Sequence, residues 1–124
     1  MRAIVVDGFG PPERLCVGEA AEPVARPDEV LVAVHAAPVN YVDLLVVGGT
    51  YQFLPPLPFI PGKGPAGVVT AVGPEVTSLH VGDRVLAMAE QGGYAEAVTG
   101  ARRSVLPVAP FNVICRRCIA EPGL

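Results

Sequence analysis

Glycine and proline interrupt this chain so often that long helices have no room to form: 14 of each fall among 124 residues. Proline fixes its own φ and lacks an amide donor, and glycine weakens regular elements from within. Both therefore collect in turns and connections. What lies between them must be short, and many brief strands joined by turns make a barrel or a sandwich. A hydrophobic fraction of 51% against 17% charged residues supplies those strands with a core to bury. The length is that of one domain.

The run Glu29–Ala36, EVLVAVHA, is β-branched and apolar almost throughout, and it is expected to be a strand buried on both faces or nearly so. Residues 2–6 read as a first strand closed by the turn cluster Asp7-Gly8-Phe9-Gly10-Pro11-Pro12, with residues 14–19 returning antiparallel to it. Further strands are expected at 66–73, 84–89 and 94–99, with turns at Gly82-Asp83 and Gly92-Gly93. Between Asn40 and Val47 the pattern changes to a short helix. Asn40 suits its cap, Asp43 its first turn, and Gly48-Gly49 its end. Pro55, Pro56, Pro58 and Pro61 stiffen the loop that follows. The predicted fold is mainly β with one or two short helices.

Several function classes are excluded at this level. No apolar run approaches the roughly 20 residues that cross a bilayer, and the N-terminus meets Asp7 too early for a signal peptide. Three cysteines, Cys16, Cys115 and Cys118, make no disulfide framework, so a cytoplasmic protein is expected. A net charge of -3 lacks the basic face that nucleic acid requires. The charge is uneven, with five basic residues against eleven acids in residues 1–100 and four arginines against Glu121 alone beyond them. Residues 107–124 accordingly read as an atypical tail of different origin, such as a frameshifted end. Its Cys115-Arg116-Arg117-Cys118 is a single knuckle without a second, and is expected to be incidental.

Six segments occur together in order. They are Val39-Asn40-Tyr41-Val42-Asp43, Gly49-Thr50-Tyr51, Pro58-Phe59-Ile60-Pro61-Gly62, the stretch from Ala66 to Gly73, Gly82-Asp83-Arg84-Val85, and Gly92-Gly93-Tyr94-Ala95-Glu96. In this order and spacing the chain resembles the medium-chain dehydrogenase/reductases, and within them the zinc-free NADPH:quinone oxidoreductase branch. The resemblance implies a GroES-like, alcohol dehydrogenase-like domain over residues 1–106, folded as a partly open β-barrel that forms the substrate side of the enzyme. It implies a Rossmann domain for NADPH as well. No glycine-rich strand-to-helix turn of that kind occurs here, so the nucleotide-binding half is expected to be absent and this form inactive alone. Full-length members are often homodimers.

Zinc-dependent relatives place a Cys where this chain has Asn40, and a His and a Glu where it has Lys63 and Gly64. An amide is a poor zinc ligand and an ammonium is none, so no zinc is expected. The resemblance makes Tyr51 the candidate proton donor. Asn40 is the candidate for orienting the acceptor carbonyl or the carboxamide of NADPH, and Tyr41, Asp43 and Lys63 are candidate substrate-binding residues. Plainer roles stand beside these: Asn40 as a helix cap, Tyr51 as a packed loop aromatic, Asp43 as a hydrogen-bonder at the helix start, and Lys63 paired with Asp43 or turned to solvent. His35 is expected in the core, and Asp83 with Arg84 in a turn and a surface ion pair.

The function expected is hydride transfer from NADPH to a quinone or an activated alkene, a small-molecule substrate. Such transfer needs a group to orient the acceptor, a proton source and exclusion of water. Two alternatives stay open. One is enoyl-thioester reduction by the same architecture, and the other is a non-enzymatic GroES-like binding or oligomeric scaffold.

Overall fold

The computed structural model describes residues 1–108. Strand β1 (Arg2–Ile4) pairs antiparallel with β2 (Val17–Glu19), and a single 3₁₀ turn, Pro12–Arg14, lies between them. Then come β3 (Glu29–Ala36), helix α1 (Tyr41–Gly48), β4 (Ala66–Val72), β5 (Arg84–Ala87), β6 (Ala97–Ala101), a second 3₁₀ turn at Arg102–Ser104, and β7 (Val105–Pro107). The last five strands form one antiparallel sheet in the order β6-β3-β4-β5-β7.

That order forces the sheet to roll. Strands β6 and β7 occupy its opposite edges yet are joined only by Arg102–Ser104. A flat five-stranded sheet would hold its edges about 19 Å apart at the usual spacing. A three-residue link spans at most about 11 Å. The sheet curls instead, and no ladder joins β6 to β7, which leaves it a partly open barrel. Inside the roll, Val30, Val32, Val69 and Val85 are fully buried, with Val76, Leu79, Val98 and Val105 packed against them. Burial of each such side chain is worth about 1.5–3 kcal/mol. Gly67 is required where β4 runs beside β3, because a Cβ there would collide with the Ala33 carbonyl oxygen.

A second cluster of Val6, Val46, Val47 and Phe59, flanked by Leu15, Val42 and Tyr51, seats α1 against the N-terminal strands. Val6 and Phe59 exchange two backbone hydrogen bonds, at 2.8 and 3.0 Å, which ties the proline-rich loop to this cluster. The Leu57–Pro58 peptide in that loop is cis.

Three expectations change. Strand β3 alternates rather than burying both faces, since only Val30 and Val32 are fully enclosed. His35 falls on the outward register of Leu31 and Ala33 and is exposed, not a core residue. The strand expected at 94–99 begins at Ala97, because Tyr94 and Ala95 turn to the N-terminal strand. The Ile4 amide donates to the Tyr94 carbonyl at 2.9 Å, and Ala95 bridges Ala3. Pro107 lies in β7 opposite Val85, and the Val108 amide donates to the Arg84 carbonyl at 2.9 Å. The remainder of the predicted tail, with Cys115 and Cys118, lies outside the described residues. Among the described residues, no helix is long and apolar enough to cross a membrane.

Candidate active site

The start of α1 is built around one carboxylate. Asn40 is extended at φ -117° and ψ 156°, which stops the helix behind it, and its amide donates to Asp43 Oδ2 at 3.0 Å. Asp43 is only 4% exposed. Its second donor comes from 51 residues away, the Tyr94 hydroxyl, at 2.6 Å from the same oxygen. The desolvation that accompanies burial, the bond donated to Asp43 and the charge of that carboxylate together hold the Tyr94 phenol well above its ordinary pKa. Tyr94 therefore stays neutral and donates.

Tyr94 also sits where two loops close on each other. Its amide donates to the Pro61 carbonyl at 3.0 Å, Gly93 to Gly62 at 3.0 Å, and Gly92 to Ile60 at 2.7 Å. Gly62 has φ +107°, and a Cβ there would lie 2.8 Å from both the ring and the backbone nitrogen of Tyr94. The contact admits glycine and nothing larger. It delivers the next residue, Lys63, to the far side of the loop pair, where its ammonium donates to the Glu90 carbonyl at 3.0 Å and to Glu90 Oε2 at 2.9 Å.

Lys63 faces Tyr51, its Nζ lying 5.8 Å from the ring centroid. The Tyr51 ring is half-buried, rests on the cluster that includes Val46 and meets Phe53 edge-on at 6.3 Å. Around these residues lies an open cleft of about 740 Å³, walled by Val46, Tyr51, Phe53, Leu54, Lys63 and Glu90. Another hollow, of about 510 Å³, gathers Asp28, Glu75, Arg102 and Arg103 and includes none of the residues picked from the sequence.

Residues 26–110 match the family model of the alcohol dehydrogenase GroES-like domain. The chain belongs to that family. Among its curated relatives is the quinone oxidoreductase of Sus scrofa, 42% identical over 107 residues, an alignment covering 85% of this chain and 32% of that protein. The human synaptic vesicle membrane protein VAT-1 homolog-like protein superposes with a TM-score of 0.85 at 32% identity, over 90% of this chain and 36% of that one. The Escherichia coli quinone oxidoreductase, solved in complex with NADPH, superposes at 0.81 with 26% identity, over 88% and 33% of the two chains. The chain thus spans about a third of the length of the proteins it matches.

Within this GroES-like domain, the residues singled out from the sequence fall into separate groups. Tyr51 and Lys63 share the cleft. Asn40 heads α1 with its side chain exposed, and Tyr41 beside it is 73% exposed; neither lines the cleft. Asp43 is turned inward, so its carboxylate serves the helix start and Tyr94. Lys63 takes neither of its anticipated directions, since its partner is Glu90. Asp83 caps its own turn by accepting the His80 amide at 2.8 Å. Sequence reasoning missed Tyr94 and Glu90. Tyr94 was visible inside Gly92-Gly93-Tyr94-Ala95-Glu96 but read as the opening of a strand, and nothing local marks Glu90 as the partner of Lys63.

Proposed function

We propose that this GroES-like domain forms the substrate side of an NADPH-dependent, zinc-independent reductase of quinones or activated alkenes. The observation that carries the reading is the phenol of Tyr51 set beside the ammonium of Lys63 on one cleft of mixed polar and apolar lining. It is supported by the quinone oxidoreductase relatives and by the NADPH complex among the structural neighbours. The donor set does not fit a catalytic zinc. Asn40 offers a neutral amide, and the Lys63 ammonium has no lone pair to give a metal. Among the described residues, no three His, Cys, Asp or Glu side chains gather.

Bound NADPH supplies the hydride. The exposed side-chain amide of Asn40, whose backbone N–H donates to Asp43 at the head of α1, suits the carboxamide of that cofactor or the carbonyl of the acceptor. Tyr51 presents an O–H that donates to the acceptor as charge develops on it. Val46, Phe53 and Leu54 give the acceptor an apolar bed and displace water from it. The cleft is open, and the chain covers a third of its relatives. We therefore assign most dinucleotide contacts and the second wall to a further domain, and residues 1–124 alone are inactive. Quinone reductases and reductases of activated alkenes share these requirements, and the proton separates them.

The test joins this domain to a matching NADPH domain and compares Tyr51→Phe with the parent. Loss of the hydroxyl should lower turnover of an enone by about 10²–10⁴-fold, the usual worth of a positioned acid. Quinone reduction should suffer less, because the phenolate it yields is protonated later by water. An unchanged enone-to-quinone ratio would leave Tyr51 a packing residue and remove the proposal's main support.

A further inference from the structure

The two charges of the cleft differ widely in their exposure. The Lys63 side chain is 27% exposed, whereas that of its partner Glu90 is 92% exposed. Among the described residues, Lys63 and Glu90 are also the only charged ones that line the cleft. The enclosed cation is therefore balanced by a carboxylate standing in water, and a pair of that kind holds weakly. Lys63 would not be stranded if the carboxylate left. Its ammonium also donates to the Glu90 backbone carbonyl at 3.0 Å and lies over the Tyr51 ring. Beside it, Tyr51 and the 74%-exposed Phe53 present two aromatic surfaces that, among the described residues, meet no ring beyond each other.

We propose that this cleft selects acceptors carrying an anionic group next to a planar unsaturated system. The planar part lies on Tyr51 and Phe53, and the anion takes the place of the Glu90 carboxylate on Lys63. Glu90 then acts as a displaceable counter-ion that keeps the cation paired until a matching ligand arrives. This inference rests on the cleft being the acceptor site proposed above.

The probe is a matched pair of enones, benzalacetone bearing a para-carboxylate and benzalacetone bearing a para-carboxamide, equal in shape and different in charge. Each is titrated into the 124-residue chain, and binding is followed by amide chemical shifts around Tyr51 and Lys63. The carboxylate should bind more tightly than the carboxamide by up to about fivefold, the worth of one charge pair at roughly 4 Å in water, reduced by the Glu90 pair it displaces. Raising the ionic strength should shrink the gap. Glu90→Gln, a change at an exposed side chain, should tighten the carboxylate more than the carboxamide. Lys63→Gln should abolish the difference. Inorganic pyrophosphate serves as an anion without a ring. If it shifts the same resonances as strongly as the carboxylate, the site reads phosphate charge alone and the inference fails. If the carboxamide binds as well as the carboxylate, the charge preference is wrong while the acceptor site stands. If neither enone binds, the inference fails, while the acceptor reading, which gives the second wall to a further domain, is decided by the Tyr51→Phe comparison above.

Discussion

Tyr94→Phe removes a single oxygen and leaves the ring that packs on Gly62. It therefore separates the hydroxyl's hydrogen bonds, to Asp43 at 2.6 Å and to the Pro38 carbonyl at 3.3 Å, from the ring contacts around them. Asp43 is 4% exposed, and its Oδ2 has two donors, the Tyr94 hydroxyl at 2.6 Å and the Asn40 amide at 3.0 Å. Deleting the first leaves a buried carboxylate with one donor fewer. Hydrogen bonds to charged groups contribute about 1.5–3 kcal/mol, and the short distance places this one among the stronger of them. In a domain near 100 residues that loss corresponds to a drop in Tm of roughly 6–20 °C.

Urea unfolding of parent and variant should show a lower midpoint with an unchanged slope. Asp43→Asn and the double variant complete a cycle, and the two single losses should add to more than the double loss because each breaks the same bond. The alkaline limb gives an independent check. Folding raises the pKa of the Tyr94 phenol, so the folded chain keeps a proton that the unfolded chain releases. That contribution is complete below about pH 10, the ordinary tyrosine value, and is lost as the pH climbs above it. Stability of the parent should therefore fall from about pH 10 upward more steeply than that of Tyr94→Phe. A loss under 0.5 kcal/mol, additive single variants and parallel alkaline limbs would together mean that water replaces the phenol. The clamp would then carry no weight.

Gly62→Ala forces a side chain into φ +107° and places a Cβ 2.8 Å from the Tyr94 backbone, so thermal unfolding should show a loss of at least ~1–3 kcal/mol; a neutral result would refute the close packing of the two loops. Val32→Ala, at a position with no exposure in the middle of the rolled sheet, should cost about 1.5–3 kcal/mol from two lost methyl groups and the cavity they leave, measured by the shift in urea midpoint. Purified protein dialysed against EDTA should keep its Tm and contain no stoichiometric zinc by elemental analysis, and a zinc-dependent rise in Tm would contradict the reading of Asn40 and Lys63.

The elements readable from residues alone are those held by neighbours in the chain. Asn40, Asp43 and the Gly48-Gly49 pair sit within three turns of one another, and α1 forms at Tyr41–Gly48 with Asn40 at its cap and Gly49 just beyond its end. The strand Glu29–Ala36 was legible for the same reason, since its β-branched residues favour extended backbone whatever surrounds them. How the strand is buried was not. Which of its faces is covered depends on β4 and β6 laid along its edges and on the core they enclose, and the alternation that exposes His35 came only with that assembly.

The candidate site divides along the same line. Tyr51, Asn40 and Lys63 are facts of local sequence, and the family resemblance attached an expected chemistry to them. The side chains that hold this geometry are remote from them. Tyr94 reaches Asp43 across 51 residues, and Glu90 reaches Lys63 across 27. Such bonds leave no periodicity or spacing in the chain, because their energy depends on a distance that exists only after the sheet has rolled and the loops of Gly62 and Gly93 have met. Sequence by itself determined the short strands, the one helix and the residue types of the cleft. The tertiary structure decided which carboxylate is buried and which stays in water, since burial is a property of the packed assembly and not of any residue in it.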